Sequence, residues 1–260
     1  MVSLAAYFLS TLLYFVYMAI KKDWASKAAF YVMGAGFLIH TVSIVSRGIA
    51  AGRLPLTNQY EFASAFSWGI ALVFLVFVKK FKFDALGTFV APVIFIVIGY
   101  ASMQSKDIHN LMPALQSNWL GFHVATAIIA YGAFGVAFGV SLAFLLKGSI
   151  KGKVASSIPD EKTLDLIIYR AVALGFLFLT LCMITGAIWA NRAWGSYWSW
   201  DPKETWSLIT WIIYAIFLHL RVRKGMTGRS AAIFAAVGFV CVLFTYIGVN
   251  TLLSGLHSYK

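Results

Sequence analysis

The chain has 260 residues, 61% of them hydrophobic and only 12% charged, where a soluble domain runs near a quarter charged. A water-soluble globule is excluded. At about 20 apolar residues per bilayer-spanning helix, this content furnishes roughly eight spans and leaves no room for a folded soluble domain. A membrane β-barrel is excluded too, because its strands would alternate apolar and polar residues, whereas stretches such as 231–246 do not alternate.

The hydrophobic runs predict helices near 2–20, 28–48, 61–79, 85–102, 119–147, 163–190, 206–222 and 229–252. The fold class is therefore an all-α, polytopic membrane bundle, with one transmembrane domain over 1–260. The first run has no basic stretch before it and carries Lys21 and Lys22 after it. That stop-transfer pattern reads as a retained helix rather than a cleaved signal. No internal repeat is visible, so an inverted-repeat transporter gains no support.

The net charge of +12 reads through its distribution. The first, third, fifth and seventh connections carry Lys21, Lys22 and Lys27; Lys79, Lys80 and Lys82; Lys147, Lys151, Lys153 and Lys162; and Arg221, Arg223, Lys224 and Arg229. The other side carries Arg47, Arg53, Lys106, Arg192, Lys203 and Lys260. Short cytoplasmic loops are enriched in Lys and Arg, so both termini are expected outside. Most of the charge is then a topology signal, and nucleic acid drops out as a partner.

Six of the nine tryptophans fall between Trp189 and Trp211. This segment, about 189–211, is expected on the outer side between the sixth and seventh helices. It sets Trp194, Tyr197, Trp198, Trp200 and Trp206 beside Gly195 and an Asp201-Pro202 turn. Two readings stay open: an interfacial aromatic belt, or a flat apolar platform that stacks a planar ligand. Asp201 reads as a turn or N-cap residue and Glu204 as the partner of Lys203, so neither is expected as acid or base. Cys182 and Cys241 sit in separate apolar runs and make neither a CxxC pair nor a disulfide framework.

The histidines are at 40, 109, 123, 219 and 257. An ionisable side chain inside a span is costly and reads first as functional, which singles out His40. His219 reads either the same way or as an interfacial residue at a helix C-terminus. His123 and His257 flank the tryptophan segment on the outer side. They are either ordinary loop histidines or the two axial ligands a bis-histidine haem requires. At 1.5 Å per residue, His40 lies on the order of 18 Å from the inner end of its helix and His219 about 5 Å from its own. Those depths suit one pair only if a haem stands upright between them or the seventh helix runs past Arg223. Haem propionates need cations, for which Arg47, Arg53, Arg192 and Lys203 are available.

The run WGSYWSWDPKETWSLITW at 194–211 resembles the tryptophan-rich WWD signature of the haem-handling proteins of cytochrome c maturation, a group that includes the CcsA (ResC), CcmC and CcmF families. GRLPLTNQYEF at 52–62, WLGFH at 119–123, LHLR at 218–221 and GLHSY at 255–259 are similar to the CcsA branch. The resemblance implies haem b as ligand, His123 and His257 as the external axial pair, and His40 and His219 as a transmembrane pair. It places the tryptophan segment, with Trp194, Tyr197, Trp198, Trp200, Asp201 and Trp206, against the haem, with Arg53 and Arg192 among the outer cations available to it; His109 matches no family position.

It also implies the haem-handling subunit of a System II cytochrome c synthetase. That subunit works with the membrane partner CcsB (ResB) on apocytochrome c CxxCH motifs, and supplies ligation and orientation rather than a nucleophile or base. The expected place is a bacterial inner or thylakoid membrane, with the tryptophan segment periplasmic, extracytoplasmic or lumenal. Two other classes remain open: a bis-histidine b-type electron carrier or quinol oxidoreductase subunit, and a transporter of a planar anionic solute.

Overall fold

In a computed structural model, residues 2–81, 85–150, 158–253 and 255 are described, and all of their regular structure is helical. The helices are α1 Val2–Ile20, α2 Asp23–Ala51, α3 Gln59–Phe81, α4 Leu86–Ser102, α5 Asn118–Lys147, α6 Glu161–Trp194, α7 Pro202–Lys224 and α8 Gly228–Leu252. Seven are long and apolar enough to cross a membrane, and α4 is a shorter apolar helix. The eight predicted runs are all present. The main difference lies at helix ends: α2 starts five residues early, and α6 runs on to Trp194. Charged end residues such as Asp23, Glu161 and Arg192 mark where an apolar window stops, not where backbone pairing stops.

Helix α5 forms the centre and packs against α3, α4, α6 and α8. A layer of aromatics fills the interior. Phe134 stacks on Tyr214 at 3.8 Å and 4°, and Phe66 meets Tyr131, Phe239 and Tyr246. By contrast α2 and α7 are mostly unburied, as expected of helices with a lipid-facing side. Polar side chains tie helices together where no water competes. Trp68 Nε1 donates to Thr41 Oγ1 at 2.8 Å, Trp211 Nε1 to Thr180 Oγ1 at 2.9 Å, and Tyr246 Oη to the Gln59 carbonyl at 2.8 Å.

Local sequence explains the two ends of α6. Gly195 adopts φ +77° and returns its N–H to the Asn191 carbonyl, the left-handed stop that glycine accepts without a Cβ penalty. At the other end Asp165 pairs with Arg221 and accepts the Gly228 N–H at 2.8 Å. One carboxylate thus joins the starts of α6 and α8 to the end of α7. Lys82, Lys151, Lys153, His257 and Lys260 lie outside the described residues.

Candidate functional site

Two neighbouring cavities lie beside the loop between α6 and α7. The first, about 140 Å³, is walled by Leu56, Phe62, Leu120, Val124 and Trp189, with the polar groups of His123, Lys203, Ser207, Thr245 and Asn250. The second shares His123, Cys182, Trp189, Lys203 and Ser207 and adds Tyr197, Trp198 and Glu204. His123 and Lys203 are therefore common to both.

His123 is held from α6. Its Nδ1 donates to the Cys182 carbonyl at 2.8 Å, and Trp189 stacks along the ring at 6.0 Å and 16°. A backbone carbonyl on Nδ1 selects the tautomer whose lone pair sits on Nε2, the arrangement that orients metal-ligating histidines. Gly186 makes this possible: a Cβ there would lie 2.6 Å from Nδ1 and 2.8 Å from Cε1. The sequence offers no signal for that role, since Gly186 belongs to no motif and its partner comes from another helix.

The start of α7 is built by the motif itself. Asp201 accepts the Lys203 N–H at 3.1 Å, and Glu204 reaches back to the Asp201 N–H at 3.2 Å. With Pro202 at the first helical position, the three form a capping box. Asp201 is thus the N-cap the sequence suggested. Glu204 corrects the sequence reading: it does not face Lys203 but caps the helix and accepts the Ser199 N–H at 2.8 Å. The Lys203 ammonium instead donates to Asn250 Oδ1 at 2.9 Å.

The five loop aromatics do not form one continuous plane. Trp194 packs edge-on against Trp189 at 4.8 Å, and Trp206 lies on Phe244 at 4.2 Å. Tyr197 and Trp200 are exposed, and Trp198 meets Trp200 at 89°. Trp200 adopts φ +59°, a left-handed conformation that costs a bulky residue about 1–2 kcal/mol and fixes the chain reversal before Asp201.

The outer cations divide. Arg47 Nε and Arg53 Nη1 each reach Glu61 at 2.9 Å, and Glu61 also accepts from the Thr57 N–H at 2.9 Å. Arg53, expected near haem, is spent on this buried carboxylate. Arg192 is exposed, with its guanidinium over the Trp119 ring at 5.7 Å.

Among the described residues, His40, His109 and His219 are not gathered with His123. His40 is buried, with Nε2 at 2.8 Å from Ser64 Oγ and Nδ1 at 3.2 Å from Tyr7 Oη. His219 is exposed on α7 and lines none of the three cavities described here, the third being the small one beside His40. Helix α7 runs only to Lys224, and α2 begins at Asp23. Counted along the helices, His40 is about 26 Å from the start of α2 and His219 about 8 Å from the end of α7, so the difference in depth persists. His109 is exposed.

The family described as cytochrome C assembly protein matches residues 56–257. The cytochrome c biogenesis protein CcsA of Chlamydomonas reinhardtii is 41% identical over 236 residues, covering 88% of this chain and 67% of that protein. The CcsA protein of Cyanophora paradoxa is 35% identical, covering 97% of this chain and 94% of its own. Among solved structures, the cytochrome c haem lyase CcmF superposes on 98% of this chain with a TM-score of 0.75 at 15% identity. This chain spans 46% of that one, so the likeness is one of fold. From the match over 56–257 and the identities to its relatives, the chain belongs to the cytochrome c assembly protein family, in its CcsA branch.

Proposed function

We propose that this integral membrane protein is the haem-handling subunit of a System II cytochrome c synthetase. Its substrate is haem b, which it holds between His123 and His257 and presents to the thiols of an apocytochrome c CxxCH motif. The observation that carries the reading is His123: its Nδ1 is fixed on the Cys182 carbonyl and its ring lines both cavities beside the tryptophan loop. Gly255 supports the second ligand. A Cβ on it would collide with the Asp201 carboxylate, so the chain passes hard against the start of α7. His257 is two residues further on in the sequence.

Each residue then has a task. His123 offers iron a neutral imidazole nitrogen in a fixed orientation. Trp189 backs that ring, with Trp194 packed against Trp189 in turn, and Tyr197, Trp198 and Trp200 give the loop an aromatic rim against water. Thioether formation adds each thiol across a vinyl group: sulfur bonds to one vinyl carbon and hydrogen to the other. No nucleophile or base of this chain is consumed, and the protein's contribution is to turn an encounter into a positioned reaction.

We place the tryptophan loop on the outer face, on the Lys and Arg asymmetry of the connections, and the membrane partner CcsB on a separate chain, on the family resemblance. His40 and His219 enter as the proposed acquisition pair on that resemblance alone, and His40 would have to exchange Ser64 or Tyr7 for iron. Co-expression with the partner and a reporter apocytochrome tests the reading. His123→Ala and His257→Ala should each reduce covalent haem on the reporter to background, and undiminished attachment in both would reject it.

A further inference from the structure

Lys203 is misplaced for stability. It is the second residue of α7, where the positive end of the helix dipole repels a cation. It is half-buried and is the only charged side chain among those lining the first cavity. Among the described residues it forms no ion pair, and its ammonium donates only to the neutral Asn250 Oδ1. The two acidic groups near it, Asp201 and Glu204, are engaged by the helix cap. An ammonium lodged against apolar walls with no directly paired anion is costly, and the motif's other residues already account for starting the helix.

We propose that Lys203, steadied by Asn250, is a carboxylate-binding subsite that takes a propionate of the tetrapyrrole into the wall of the first cavity. This rests on the haem reading above and deepens it. The walls suit such an edge: Leu56, Phe62, Leu120, Val124 and Trp189 accept the apolar rim of the ring, while Ser207, Thr245 and Asn250 add polar groups to the same lining and Asn250 meets the ammonium. The propionates of haem b lie on one side of the macrocycle and the vinyl groups on the other. A propionate fixed at Lys203 turns the vinyl side away from the ammonium, toward incoming thiols. Arg53 lines neither cavity, and its Nη1 is tied to Glu61.

The full-length protein in nanodiscs is titrated with iron protoporphyrin IX and with its dimethyl ester, reading the Soret band. The wild type should prefer the free acid by about tenfold or more, the worth of one charge-assisted hydrogen bond. Lys203→Met should bind both forms with equal affinity, and Lys203→Arg should keep the preference. An unchanged preference in Lys203→Met, or no preference in the wild type, overturns the subsite and leaves the haem reading intact. Failure of the wild type to bind either form overturns both. A Lys203→Met protein that binds the dimethyl ester as the wild type does is folded, which separates loss of the subsite from loss of structure.

Discussion

The two ends of α6 are built to opposite designs. At one end Asp165 satisfies Arg221 and the Gly228 N–H, and Arg221 lies over Tyr169 at 5.1 Å, so charge, hydrogen bonds and packing close on themselves. At the other end, 29 residues and about 44 Å along the helix, the loop departs into two cavities. There a backbone-held imidazole and an ammonium bonded to a neutral amide line the first cavity. Stability is concentrated where the helices are locked, and the side chains with ligating chemistry gather where they are not. Functional sites characteristically break local rules that the rest of the fold obeys.

That contrast can be broken at either end. The largest effect is expected at Gly186. Gly186→Val would push a branched side chain into the His123 ring, so the haem Soret band should fall to the level of His123→Ala. Gly34→Val, at a position with open space around it on α2, should leave the band unchanged. Next, Asp165→Asn removes one partner of a largely buried pair and should cost about 3 kcal/mol of stability, read as a lowered Tm. The haem bound per folded molecule should stay the same. If Asp165→Asn instead abolished haem binding without lowering Tm, the two ends would not be separable. The smallest effect is expected from Asp201→Ala, which removes one cap at about 1 kcal/mol and should weaken haem binding only modestly through Lys203, the residue it positions.

Much of this was legible in the sequence because it is local. Eight apolar runs gave eight helices, and Asp201 could be read as an N-cap because capping depends on neighbours three residues away. Where the partner is a backbone group, a loop folded back on itself or a side chain of another helix, the reading failed or was silent. Glu204 turned to the cap rather than to Lys203, since its partners are the backbone N–H groups at 199 and 201. Arg53 found Glu61, eight residues on, because the 53–58 loop folds back over the start of α3. Gly186 became important only when α5 brought His123 against it, and the tryptophans split because Trp189 and Phe244 recruit two of them inward.

The central claim is that His123 holds haem iron, and chemical rescue tests it most directly. His123→Gly, which leaves a space the size of imidazole, should lose the low-spin bis-histidine spectrum of the haem-loaded protein and regain it on addition of free imidazole. A His123→Gly protein that keeps the wild-type spectrum with no imidazole added would contradict the account.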